Sequence, residues 1–165
     1  MTRAGLDLVA EARRQWVAHG WPGPDRGMAT VVSLMRAQQI VAGRLEDVVR
    51  PYGLSYARYE LLTLLSFTRT GELPLSTVGE RLQVRPASVT GAVDKLEQQK
   101  LVVRVPHPDD RRAVLARITD EGRRVAADST AALNAGPFAD LGLDRHELEQ
   151  LISLLARLRK SAGDF

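Results

Sequence analysis

At 165 residues, with 44% hydrophobic and 26% charged residues, the chain has the size and composition of one folded domain, and wholesale disorder is excluded. It contains no cysteine, which excludes a disulfide frame, a thiolate zinc site and a thiol redox switch. The formal net charge is only +3, but it is unevenly placed. Residues 81–117 carry Arg81, Arg85, Lys95, Lys100, Arg104, Arg111, Arg112 and Arg117 against Asp94, Glu97, Asp109 and Asp110, and the rest of the chain is close to neutral. Such an excess suits either a solvated face or a polyanionic partner. The sequence holds no run of ~18 apolar residues, the length of a membrane span, and its N-terminus, Met1-Thr2-Arg3-Ala4-Gly5, does not open a secretory leader. The expectation is a cytoplasmic protein with no membrane partner.

In chain order, Leu6, Val9, Ala12 and Trp16 share one face of a helix over about residues 5–19, which Gly20-Trp21-Pro22-Gly23-Pro24 ends. A long helix follows from about Met28 to Arg50. Its positions Val31, Leu34, Gln38, Val41, Leu45 and Val48 repeat at alternating spacings of 3 and 4, a heptad-like seam that packs either inside the chain or against a second copy. Pro51 and Gly53 stop it. Residues 55–67, with Leu61, Leu62, Leu64, Leu65 and Phe67, leave little polar surface and read as a buried scaffold helix. Gly71 and Pro74 mark a turn.

Two short helices come next. One spans about Ser76 to Leu82, capped by Ser76, with Val78 and Leu82 inward. After the tight turn Gln83-Val84-Arg85, the other runs from Pro86, suited to the first helical position, to about Gln99, with Val89, Val93 and Leu96 as its buried stripe. Two β-prone runs, Leu101–Val105 and Ala113–Ile118, flank a polar, proline-bearing tip and read as a hairpin. Thr119 caps a helix over about 120–134, broken at Gly136-Pro137. Asp144 and Glu147 have capping-box spacing at the head of a last helix carrying Leu148, Leu151, Ile152, Leu155 and Leu158.

Scaffold helix, short helix, tight turn, second helix, hairpin is the order of a helix-turn-helix with a wing. The second helix offers Ala87, Ser88, Thr90, Gly91, Asp94, Lys95 and Gln98 on its open side, small or hydrogen-bonding groups fit for a major groove. Gly91 costs a helix roughly 1 kcal/mol relative to Ala, which points to a close backbone approach there. At the hairpin tip, Asp110 is placed either to orient the arginines for a narrow minor groove or merely to stabilise the turn.

The stretches Leu75-Ser76-Thr77-Val78-Gly79-Glu80-Arg81-Leu82, Pro86-Ala87-Ser88-Val89-Thr90, Val93-Asp94-Lys95-Leu96-Glu97, Leu101-Val102-Val103-Arg104, Asp109-Asp110-Arg111-Arg112 and Leu115-Ala116-Arg117-Ile118-Thr119 together resemble the MarR family of bacterial regulators, over about residues 28–160. The resemblance implies a mainly α fold with a small β-hairpin wing. It divides the chain into N-terminal dimerisation helices (1–50), a winged helix-turn-helix DNA-binding region (55–120) and C-terminal dimerisation helices (121–165). It implies a homodimer on double-stranded DNA, repression as the default, Ser88 and Thr90 facing bases or phosphates, and Arg112 in the minor groove braced by Asp110. The full set expected at DNA is Ser76, Thr77, Arg85, Ala87, Ser88, Thr90, Gly91, Lys95, Arg104, His107, Asp110, Arg111 and Arg112. The chain departs from the family at Gly91, where many members are basic, and at Arg85, where many carry a Ser or Asp cap.

Family members often bind small aromatic or anionic effectors between dimerisation helices and head. Trp16, Arg36, Gln38 and Gln39 are the candidates here, with core packing for Trp16 and interface hydrogen bonds for the glutamines as the plainer alternative. No cofactor or metal is expected. His19, His107 and His146 have no metal-ligand spacing, and no phosphate loop or nucleophile elbow occurs, so an enzyme is not expected. The remaining rival is a winged helix that binds protein instead of DNA.

Overall fold

The structure, a computed structural model, describes residues 5–21, 23–110 and 113–165. These form α1 (Leu8–Ala18), α2 (Asp25–Val49) with a 3₁₀ turn (Arg50–Tyr52), α3 (Tyr56–Ser66), β1 (Glu72–Pro74), α4 (Leu75–Leu82), α5 (Pro86–Gln98), β2 (Val102–Pro106), β3 (Val114–Ile118), α6 (Asp120–Ala135) and α7 (Arg145–Ser161). The mainly helical winged fold expected from the sequence is present. Among the described residues no helix is long and apolar enough to cross a membrane.

The hydrophobic core lies in the middle of the chain. Leu61, Leu62 and Leu65 of α3 are fully buried between Val78 of α4, Val89, Val93 and Leu96 of α5, Val102 and Ala116 of the sheet, and Ala126 and Leu133 of α6. The second half of α2 joins this core through Leu45 and Val49. The first half does not. Val31 is 56% exposed and Leu34 is 40% exposed, so the upper part of the heptad-like seam is largely open.

Four details differ from the sequence reading. The long helix begins at Asp25, three residues before Met28. Phe67 is 79% exposed, because it caps the end of α3 and points past the core that its neighbours fill. Ser76 is not a cap: β1 runs straight into α4, Pro74 occupies the cap position without a side-chain hydrogen bond, and Ser76 sits exposed in the first turn. The hairpin is two strands of a three-stranded antiparallel sheet, in the order β1-β3-β2. β1 pairs Glu72 with Arg117 and Pro74 with Leu115, while β2 pairs Val102 with Ile118 through to Pro106 with Val114. At three residues ending in proline, β1 shows no alternation to read. It is tolerated because Pro74 lies at the end of an outer strand, where a missing N–H costs little.

The C-terminal side of the wing is tied to α6 at Thr119. Its Oγ accepts from the Gly122 amide at 2.9 Å and donates to the Lys100 carbonyl at 2.9 Å. Thr119→Ala is expected to lower stability by about 1 kcal/mol, the ordinary worth of a helix cap, as measured by urea unfolding.

Candidate nucleic-acid interface

The helix-turn-helix is built by three local devices. α4 ends at Gln83, whose left-handed φ of 54° turns the chain sharply. The Val84 amide donates back to the Gly79 carbonyl at 3.0 Å, closing the turn. Arg85 then precedes Pro86, which opens α5 at the first helical position, where its missing N–H has no partner to lose. The consequence is a helix seated by Val89, Val93 and Leu96, all nearly inaccessible, with Ala87, Ser88, Thr90, Gly91 and Lys95 exposed. A concavity of about 570 Å³ crosses the turn, and Ser76, Glu80, Gln83, Arg85 and Thr90 are among its lining residues. β2 and β3 rise beside α5. At their tip His107 Nδ1 accepts from the amides of Asp109 and Asp110, each at 3.2 Å, which folds the tip back on the ring.

The MarR family model matches residues 54–114, the span from the loop before α3 into β3. The chain is 40% identical over 132 residues to the transcriptional repressor MdtR of Bacillus subtilis, covering 79% of this chain and 84% of that one. Among solved structures, Sco5413, a MarR family transcriptional regulator of Streptomyces coelicolor, superposes with a TM-score of 0.77 at 47% identity, covering 85% of this chain and 97% of that one. The chain belongs to the MarR family. A third relative, CouR of Rhodococcus jostii bound to p-coumaroyl-CoA, superposes with a TM-score of 0.67 at 30% identity, covering 81% and 91%. This MarR-family protein is a DNA-binding transcription regulator, and its relatives are regulators, not enzymes.

α4, α5 and the turn between them place most of the expected residues on one surface, but not all of them in the same state. Ser76, Arg85, Ala87, Ser88, Thr90, Gly91 and Lys95 are exposed around α4 and α5, and Thr77 is half-buried. The Thr90 hydroxyl donates to the Pro86 carbonyl at 3.1 Å, so its proton is engaged within α5. Gly91 meets no atom within 4 Å of where a Cβ would stand, so its packing within the chain does not require glycine there. Arg111 and Arg112 lie outside the described residues.

Arg104 is engaged within the chain. Its guanidinium donates to Asp94 at 2.6 Å and to Glu97 at 2.5 Å. Burial works against the charged form, and the two carboxylates more than restore it, leaving the guanidinium's pKa raised. Arg117 is likewise engaged, with Glu72 across the sheet at 2.5 Å. Of the described basic residues in 81–117, Arg81, Arg85, Lys95 and Lys100 make no ion pair with another described residue and are exposed. Among the described residues no cluster of His, Cys, Asp or Glu could hold a metal ion.

One contact had no sequence signal. The Gln83 amide donates to Asp164 at 3.1 Å, joining the tail after α7 to the helix-turn-helix turn. Hydrogen bonds from Arg159 and then Gln83 hold the Asp164 carboxyl below its usual range. A partner 81 residues away leaves no local pattern to read.

The effector candidates are spread along the N-terminal helices. Trp16 stacks edge-to-face with Trp21, ring centres 5.0 Å apart, and its indole nitrogen is buried without a hydrogen-bond partner. Arg36, Gln38 and Gln39 are exposed on α2, where Arg36 donates to Gln39 at 3.3 Å. Neither the concavity between α1 and α2 nor the cleft between α2 and α7 is lined by any of the four.

Proposed function

We propose that the protein is a cytoplasmic repressor that grips a near-palindromic operator as a homodimer and lets go when a small aromatic or anionic ligand binds. The observation that carries the DNA half of this reading is the two-sided character of α5: one face is locked into the core, and the other presents Ser88, Thr90, Gly91 and Lys95 beside unpaired cations. Such a helix can enter a major groove while Arg85 and Lys100 meet phosphates on either side. Two heads related by a twofold axis would read half-sites roughly 34–36 Å apart. The arms are the N-terminal helices with the first half of α2, and the C-terminal helices. Support for the dimer comes from α1 and α7, which bury no residue fully, and from a cleft of about 750 Å³ between α2 and α7 lined by Leu34, Leu151, Leu154, Leu155 and Leu158. MdtR, named a repressor, supports the sign of regulation. CouR with its aromatic acyl thioester supports the ligand class, with Trp16, Arg36, Gln38 and Gln39 as residues to test.

The test is selection from a pool of random duplex DNA, with Ser88→Glu and Arg112→Ala beside the parent protein. An inverted repeat should be enriched by the parent. Ser88 is the third residue of α5, where a carboxylate favours the helix electrostatically, so Ser88→Glu should leave the melting temperature unchanged or slightly raised. It should nevertheless weaken operator binding roughly 100-fold, because it sets a negative charge against phosphates. Lack of enrichment at any salt concentration would overturn the operator reading and favour a protein-binding winged helix.

A further inference from the structure

We propose that Arg104 is a positioning residue for operator recognition: it locks the wing to the recognition helix and neutralises that helix's own carboxylates, rather than contacting a phosphate. The proposal rests on the operator-binding reading above, and it reassigns a cation that the sequence places at DNA.

The geometry is that of a clamp. Arg104 stands in the middle of β2, the outer strand of the sheet on that side. Its Nη2 reaches Asp94 at 2.6 Å and lies 3.5 Å from the Thr90 carbonyl, while Nη1 reaches Glu97 at 2.5 Å. The backbone amide of Arg104 donates to the other oxygen of Glu97 at 3.1 Å. An outer strand presents amides with no neighbouring strand to receive them, and Glu97 receives this one. One residue of the wing is therefore held at four points along about two turns of α5. Its side chain is only 27% exposed, against 51% for Asp94 and 41% for Glu97.

Two consequences follow for DNA. The wing and α5 read different grooves, and the relative position of two rigid elements sets whether both can engage at once. A strand pinned to the helix removes that freedom before binding. Asp94 also stands on the exposed side of α5, between Gly91 and Lys95, where an uncompensated carboxylate would repel the phosphate backbone. The guanidinium cancels it from behind while leaving the outward surface to Ser88, Thr90 and Lys95.

The experiment compares the parent protein with Arg104→Gln, the double variant Asp94→Asn/Glu97→Gln, and the triple variant combining all three. The first readout needs no DNA: hydrogen exchange at the Arg104 amide should quicken at least tenfold in both Arg104→Gln and the double variant. Unchanged exchange in either would overturn the clamp, even if no operator were found. The second readout is operator affinity over a salt series. Arg104→Gln should bind about tenfold more weakly with an unaltered salt slope, and the triple variant, which removes the stranded carboxylates but does not rebuild the clamp, should recover part of that loss and not all of it. A phosphate contact would give the opposite: a slope smaller by about one and no recovery in the triple variant. Either of those results, or parental affinity in Arg104→Gln, would overturn the proposal. If Arg104→Gln fails to fold, recovery in the triple variant and exchange in the double variant still decide it.

Discussion

Gly122→Ala should unfold the protein at a markedly lower temperature, on the order of 5–10 °C below the parent, corresponding to about 2–3 kcal/mol. Gly122 is buried in the first turn of α6, where that helix meets the base of the wing. A Cβ there would stand 2.1 Å from the Leu101 carbonyl oxygen and 2.8 Å from Ile118 Cγ1. The first of these is backbone and cannot rotate away. That same carbonyl accepts the Thr119 amide at 3.0 Å, so pushing it aside breaks the joint that aligns α6 with the sheet. The ordinary gain of alanine over glycine in a helix, up to ~1 kcal/mol, does not offset this. Gly91→Ala supplies the internal contrast. It lies inside α5 with open space where a Cβ would stand, so alanine should raise stability by up to ~1 kcal/mol while lowering operator affinity wherever DNA comes close. Calorimetry on the two variants should therefore show shifts of opposite sign. A Gly122→Ala protein that melts with the parent would mean the α6–wing joint is looser than its geometry indicates.

The sequence exposed what is local and periodic. The buried stripe of α5, the turn at Gln83, the cap at Thr119 and the capping box at Asp144 all depend on residues within a few positions of one another, and each stands where its pattern puts it. What escaped depends on distance or on neighbours. β1 is a strand only because β3 lies beside it, and Ser76 lost its expected role because that strand feeds directly into α4. Phe67 is apolar and adjacent to a buried run, yet the helix ends beneath it. Arg104 is instructive for the candidate site. A cation in the positive segment of a DNA-binding head reads as a phosphate contact, and only the fold reveals two carboxylates ten and seven residues earlier closing on it. Charge counted along a chain does not distinguish cations spent on internal pairs from those left for a partner.

Ile152→Asp/Leu154→Asp should convert the protein to monomers and weaken operator binding by roughly 10²–10⁴-fold, the factor by which two linked sites exceed one. The two side chains are 67% and 59% exposed on α7 and lie on different faces of it: Leu154 stands with Leu151 and Leu158 along the cleft toward α2, and Ile152 points away from that cleft. Exposed apolar side chains on a helix with no fully buried residue fit the interface with a second copy proposed above. Val31 and Leu34 on the first half of α2 and Leu8 and Val17 on α1 extend the same apolar character to the other chain end. These helices stand apart from the core that holds the head, where Leu61, Leu62 and Leu65 are sealed against α5 and the sheet. Two buried carboxylates on each copy would carry a large desolvation penalty at a dimer interface and almost none in water. The substitutions therefore bear on association rather than on the fold of the head. Sedimentation should report half the parental mass, while each monomer retains weak, strongly salt-dependent binding through its single α5. A monomeric variant with parental operator affinity would show that one head suffices. A variant that remains dimeric would place the interface elsewhere than on α7.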